Sequence, residues 1–326
     1  MAVFTQLSDQ QAQHIADACS LGPVTRVVPV PEGSVNSNYF IDTADQTVFV
    51  RVYEEQGLDG VRYEWALLRY LQERGFAVAG PWRGLSPDRL QFAGKPVGVF
   101  ECVGGQQSCQ RAVTVARAAA VGQWLATVHG ALQGFPEKRL GRFTLEQISQ
   151  RLSGIDVGQD ESLARALLQL ESLAMQLSEQ WPPAVPCGVI HGDLFRDNVR
   201  WSNNDIVAVI DWESASEGPF VYDLMVAVLA WCFDDDWNWE LASAMVRAYD
   251  QVRCLNETER LNLRLSGVYA ALRFTVTRIT DFHLRQSIGQ RVQKDYRRFL
   301  RRLELISAYD NEEFQALCYG SGVKNS

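Results

Sequence analysis

The sequence predicts an α+β chain of two lobes: a small antiparallel sheet with one long helix, then a larger, mainly helical part. Three observations carry this. Short β-branched and aromatic runs separated by turn residues fill residues 24–53 and return at 96–102. One amphipathic helical pattern, 58–74, lies between them. After Gly104-Gly105 the apolar period becomes helical and stays so over most of the remaining chain. These place the sheet lobe at 1–102 and the helical lobe at 103–326.

Element by element, Ser8-x-x-Gln11 is a capping box that opens a short helix ending at Gly22-Pro23. VTRVVPV (24–30), NYFID (38–42) and TVFVRVY (47–53) read as strands, with Ala44-Asp45-Gln46 as a hairpin turn. In 58–74, Val61, Trp65, Leu68 and Leu71 share one face and Gly75 is the stop. PVGVFEC (96–102) is a further strand. Helical blocks follow at 109–130, 143–154 and 159–180, ended by Pro182-Pro183 and Pro186. Three short strands, 188–190, 198–201 and 206–210, precede helical blocks at 220–233, 238–251 and 257–284 and a basic helix at 288–308.

Composition narrows the class. With 326 residues, 47% hydrophobic and 21% charged, the chain is an ordinary globular protein. A net charge of −8 argues against whole-protein attraction to nucleic acid or anionic lipid, and the arginines of the C-terminal basic helix read as a solvated face. Seven scattered cysteines, an odd number with no C-x-x-C, fit reduced thiols in a cytoplasm. There is no signal-peptide pattern, and the apolar run Leu224–Phe233 is too short to span a membrane. The only Gly-Lys pair, Gly94-Lys95, lacks a P-loop context, and no G-x-S-x-G or H-E-x-x-H occurs.

The strongest chemical signal is HGDLFRDNVRW…VAVIDWE, residues 191–213. His191-Gly192-Asp193 leaves an apolar strand, Asn198 stands five residues after Asp193, and Asp211 ends the next apolar strand. A loop and hairpin of this kind can bring the three side chains to one spot. Asn198 and Asp211 offer oxygen ligands suited to a hard cation such as Mg²⁺, and Asp193 can accept the proton of an attacking hydroxyl. The layout is that of phosphoryl transfer in protein kinases.

H-G-D-x4-N followed by I-D-W-E resembles the aminoglycoside phosphotransferase-like kinases, a branch of the protein-kinase fold. GSVNSNYF (33–40), HGDLFRDNV (191–199), YDL (222–224), AWCF (230–233) and ALRFTVTR (271–278) are similar to the bacterial homoserine kinases of that fold, in family order over nearly the whole chain. The resemblance implies a two-lobed protein-kinase-like fold with ATP·Mg²⁺ between the lobes. It implies Asp193 as catalytic base, Asn198 and Asp211 as metal ligands, Asp223 as an anchor for the catalytic loop, and a packing role for His191. Ser34, Asn36 and Ser37 fall where kinases place a phosphate-covering loop, here without its glycine pattern. Glu101 and Val103 fall where backbone groups read adenine.

The departure is on the third strand. Kinases carry a lysine there; this chain has no lysine before Lys95 and places Arg51 on the strand, with Glu64 on the following helix. Either Arg51 takes over the phosphate contact or ATP is held through metal and backbone, since arginine and lysine are not equivalent. For the acceptor, Arg273, Thr277 and Asp281 recur every four residues and share a helical stripe. Arg273 and Asp281 would match the two charges of an amino acid, or form a structural ion pair; Trp231 borders the same expected cavity. The implied reaction moves the γ-phosphoryl group of ATP to a small hydroxyl-bearing amino acid or amino alcohol. L-Homoserine leads, giving O-phospho-L-homoserine in threonine biosynthesis. A kinase for choline, an aminoglycoside, a thiosugar or a protein serine/threonine is the alternative.

Overall fold

The computed structural model describes residues 4–31, 35–182, 184–284 and 294–321. They form two compact units. The first holds residues up to Gly105 together with Val207–Glu213; the second holds Gln106–Ile206 and the described residues from Ser214 onward. The first unit therefore recruits a segment from far along the chain.

In the first unit, helix α1 (Asp9–Ala18) starts on the predicted capping box: Ser8 Oγ accepts the Gln11 N–H, and the Gln11 side chain accepts the Ser8 N–H. Strands β1 (Val24–Val30), β2 (Ser37–Thr43) and β3 (Thr47–Val52), helix α2 (Leu58–Glu73) and strands β4 (Gln91–Phe92) and β5 (Lys95–Glu101) follow. The sheet is antiparallel in the order β1-β2-β3-β5-β4. Register pairs Arg51 with Asn38 on one side and Gly98 on the other, which fixes it in the middle of the sheet. Val61, Trp65, Leu68 and Leu71 of α2 are all buried, each contributing roughly 1.5–3 kcal/mol. β4, only two residues long, is too short for any alternation to show in the sequence.

The second unit contains α3 (Val115–Leu132), α4 (Leu145–Ser153), α5 (Glu161–Gln180), β6 (Cys187–Ile190) and β7 (Val199–Ser202). The chain turns through Asn203, φ 55°, into β8 (Asp205–Val209), within which it leaves this unit. It returns with β9 (Ser216–Pro219), which pairs with β6, and continues through α6 (Phe220–Trp231), α7 (Trp239–Val252), α8 (Glu257–Leu261), α9 (Leu263–Arg278), α10 (Arg297–Ser307) and α11 (Asn311–Cys318). All twelve residues of α6 are buried, as expected of a helix that is apolar all round.

Three helical expectations change. The block from 109 holds a 3₁₀ turn at Gln110–Ala112 and becomes α-helical at Val115, where Thr114 accepts the Arg117 N–H and caps it. The block 257–284 breaks at Asn262, and Ile279–His283 widens into a π turn. The basic helix begins at Arg297; residues 288–293 lie outside the described ones. Nor is it wholly a solvated face, since Arg302 is buried. The seven cysteines are unpaired thiols. Among the described residues no helix is long and apolar enough to cross a membrane.

Candidate active site

The loop that leaves β6 is held from beneath by one carboxylate. Asp223, in the first turn of α6, accepts the His191 N–H at Oδ2 and the Gly192 N–H at Oδ1, both at 2.8 Å. Gly192 has φ 73°, and a Cβ there would stand 3.3 Å from the Ser214 carbonyl, so both conformation and space favour glycine. Burial alone would raise the Asp223 pKa; hydrogen bonding to His129, attraction to His129 and His191, and the Gly192 N–H hold it below the ordinary value. His129 Nε2 lies 3.0 Å from Asp223, and its Nδ1 lies 2.8 Å from the Tyr249 hydroxyl. Burial lowers the His129 pKa, against the pull of Asp223. His191 is fully buried and accepts the Asp193 N–H at Nδ1, 3.2 Å away, which is a packing role.

On this rigid base the Asp193 side chain is 30% exposed, enough to meet a substrate. Asn198 is buried and donates from Nδ2 to the Asp193 carbonyl at 2.8 Å, so its Oδ1 is the atom it could offer as an acceptor. Arg273 donates from Nη1 to the Gly192 carbonyl at 2.7 Å and stands 3.7 Å from Asp193 Oδ1.

In the first unit, Arg51 is ringed by acids. Its Nη1 donates to Asp211 at 3.0 Å and lies 3.6 Å from Glu64 and 3.9 Å from Glu213. Nε donates to Asn38 Oδ1 at 3.3 Å. Burial disfavours the guanidinium charge, but Asp211, Glu64 and Glu213 more than offset this and raise its pKa. Burial pushes the Glu64 carboxyl up to about 7, with Arg51 opposing and Glu213 and Asp211 reinforcing. Tyr53 donates its hydroxyl to Glu64 at 3.0 Å. Asp211 itself has φ 65°, a left-handed conformation that aspartate tolerates better than most residues.

The structure moves several residues out of the roles read from the sequence. Asn36 is buried; its amide donates to Glu213 and its carbonyl accepts the Glu54 N–H at 3.2 Å. Ser37 is fully buried; its Oγ accepts the Phe4 and Thr5 N–H groups at 2.8 and 2.9 Å and donates to Glu54 at 2.5 Å. Both side chains thus fasten the first unit rather than offer themselves to a phosphate, and Ser34 lies outside the described residues. The Glu101 N–H is committed to the Gly80 carbonyl, and its carboxylate accepts from Gln72 at 3.3 Å. Val103 sits in irregular chain just after β5.

Trp231 does not line the cavity described below. It is fully buried and donates its indole N–H to the Leu194 carbonyl at 2.9 Å, bracing the catalytic loop. Asp281 does not continue the stripe of Arg273, because the π turn intervenes; it pairs with Arg151 at 3.0 Å. A cavity of about 100 Å³ in the second unit is lined by Arg142, Phe143, Gly192, Glu217, Tyr222 and Arg273 among others. His129 and Glu213 were not anticipated. Their partners are distant in sequence, and only the position of Glu213 two residues after Asp211 hinted at a role.

Each candidate ligand offers oxygen chemistry suited to a hard divalent cation: in the second unit Asn198 has an amide oxygen, and in the first Asp211 has a partly exposed carboxylate that shares Arg51 with Glu64 and Glu213. Among the described residues no three His, Cys, Asp or Glu side chains form a metal-holding group.

Residues 26–263 match the phosphotransferase enzyme family, APH. A homoserine kinase of Phenylobacterium zucineum is 32% identical over 294 residues, 87% of this chain and 88% of that protein. A homoserine kinase of Nitrobacter hamburgensis is 30% identical over 323 residues, 95% and 96% of the two chains. Among solved structures, an amicoumacin kinase in complex with AMP-PNP and Ca²⁺ superposes with a TM-score of 0.69 at 16% identity, covering 93% of this chain and 96% of that one. The choline kinase LicA of Streptococcus pneumoniae gives 0.64 at 16% identity, covering 92% and 100%. The fold is the α+β, protein-kinase-like fold that the sequence predicts.

Proposed function

The chain belongs to the APH phosphotransferase enzyme family, a kinase that transfers phosphate to a hydroxyl, and from that premise we propose that its acceptor is L-homoserine and its donor ATP with Mg²⁺. The observation that carries the chemistry is Asp193, partly exposed on a loop whose backbone is fixed by Asp223. In this reading the acceptor hydroxyl attacks the γ-phosphorus of ATP, its proton passes to Asp193, and the bond to the β–γ bridging oxygen breaks to release ADP. Asn198 and Asp211 are the residues that would hold the cation, whose charge neutralises the phosphate oxygens. Arg273 and Asp223 keep Asp193 in place. The extent of similarity to proteins named homoserine kinase, over nearly the full length, favours L-homoserine over choline. The product would be O-phospho-L-homoserine, a step toward threonine, and a cytoplasmic location is proposed with it.

The test is ATP consumption by the purified protein with L-homoserine, L-serine, choline, an aminoglycoside and a protein substrate. Turnover of L-homoserine at least tenfold above every other acceptor supports the reading. A preference for choline or an aminoglycoside overturns it.

A further inference from the structure

Among the described residues, three arginines beside the loop that follows β6 make no ion pair with a carboxylate. Arg278 ends α9; Arg298 and Arg302 lie on α10. The guanidinium groups of Arg278 and Arg302 stand 4.3 and 4.5 Å from the centroid of one ring, Phe299. The polar contacts of the two guanidiniums go to backbone carbonyls: Arg278 donates to that of Asp295 at 3.1 Å, Arg302 to that of Arg298 at 3.2 Å. Arg302 is only 6% exposed, and its Nε is buried without a hydrogen-bond partner. The ion pairs nearby use other residues, Arg297 with Asp295 and Arg301 with Glu304. Among the described residues no carboxylate comes within ion-pair distance of Arg278, Arg298 or Arg302, and residues 285–293 contain no Asp or Glu.

The electrostatics carry the mark of this crowding. Burial, then repulsion by Arg278, Arg298 and Arg196, pushes Arg302 down to about 9. Burial and Arg298 push Arg278 down to about 10, against the pull of Asp193, Asp295 and Asp197. Guanidinium groups seldom yield so far; a bound anion would relieve them.

The patch shares an aromatic floor with the reacting group. Phe195, two residues past Asp193, packs at 4.8 Å on Phe274 and 6.0 Å on Phe299, and those two rings lie 5.0 Å apart. Arg273, the anchor of Gly192, stands over the same Phe274 at 3.9 Å.

We propose that Arg278, Arg298 and Arg302 form the seat of the acceptor's carboxylate, so that this kinase is selective for hydroxyl-bearing amino acids over amino alcohols. The proposal rests on the acceptor reading above and deepens it. Planar guanidinium groups grip a carboxylate in paired hydrogen bonds. The same positive cluster repels choline and aminoglycosides, which carry only positive charge, so it selects by exclusion as well as by attraction.

The experiment compares L-homoserine with 3-amino-1-propanol, which is L-homoserine without its carboxylate. The wild type and the variants Arg278→Gln and Arg298→Gln are assayed for kcat/KM on both; Arg298 is exposed, so its replacement spares the fold. The wild type is expected to prefer L-homoserine. Each variant is expected to lose about 10- to 100-fold on L-homoserine, the cost of a charge-assisted hydrogen bond, chiefly through KM, with 3-amino-1-propanol changed by less than about threefold and ATP KM unmoved. Arg278→Lys is expected to recover part of the preference. A wild type that prefers L-homoserine and variants that keep that preference overturn the carboxylate seat alone. A wild type that uses 3-amino-1-propanol as well as L-homoserine overturns the acceptor reading and the seat together.

Discussion

Arg51 donates to Asp211 across 3.0 Å, joining the middle of the five-stranded sheet to the residue proposed to bind metal. The contact stands where kinases use lysine for phosphate. Here the cation's Nη1 also faces Glu64 and Glu213, so Arg51 is first of all the neutralising centre of a carboxylate cluster.

Removing that centre leaves buried carboxylates without a counter-charge. Arg51→Met is expected to cost about 3–5 kcal/mol of stability, the range for breaking a buried ion pair, read as a drop in the midpoint of urea unfolding. Arg51→Lys keeps the charge but loses the fork that spans Asn38 and Asp211, and an intermediate loss is expected. An unchanged midpoint in Arg51→Met contradicts a structural role for the ring.

Asp193 acts in this account as a base and not as a support. Asp193→Asn is expected to lower kcat by about 10²–10⁴ while leaving thermal stability and ATP KM near wild type. Full activity in this variant removes Asp193 from the proton transfer.

Parts of this site were legible in the sequence and parts were not, for physical reasons. Asp223 is legible only through the family resemblance that implies an anchor for the catalytic loop, and the left-handed turn at Gly192 shows only in the structure. Asn36 and Ser37 misled because small polar residues near a hairpin look alike whether they face a ligand or a partner such as Glu213, 177 residues from Asn36. The Arg273–Asp281 stripe assumed an unbroken helix, and nothing in the residues 279–283 marks the π turn. Strand β3 is legible from its β-branched and aromatic run between turn residues, but the ring of acids around Arg51 depends on tertiary placement, which local composition does not encode.

Glu64 gives a pH dependence. Its folded pKa, about 7, lies above the ordinary value of 4.5, so the folded state binds the proton more tightly than the unfolded one. The stability tied to this group is fully present below about 4.5 and is lost as pH rises through about 7. The loss is on the order of 3 kcal/mol. In Glu64→Gln the difference from wild type is expected to shift in favour of the variant across that window, measured by urea unfolding between pH 4.5 and 8. A constant difference counts against the assignment.

Asp223 anchors the loop through two N–H groups while balanced by His129. Asp223→Ala leaves those donors buried and unmet, at about 1–3 kcal/mol each. We expect a strongly destabilised protein whose His191 and Gly192 amides exchange hydrogen much faster than in wild type. Retained protection at those two amides would mean that the loop is held by something else.

Arg273 separates positioning from binding. It meets the Gly192 carbonyl and stands 3.7 Å from Asp193, so its removal disturbs the base rather than an acceptor charge. Arg273→Ala is expected to lower kcat on L-homoserine and 3-amino-1-propanol alike, by about tenfold or more, since small displacements of a catalytic group are costly. Arg278→Gln, by contrast, is expected to act on KM for the carboxylate-bearing acceptor alone. If Arg273→Ala raises the L-homoserine KM and spares kcat, then the acceptor carboxylate lies at Arg273 and the two arginines exchange their roles.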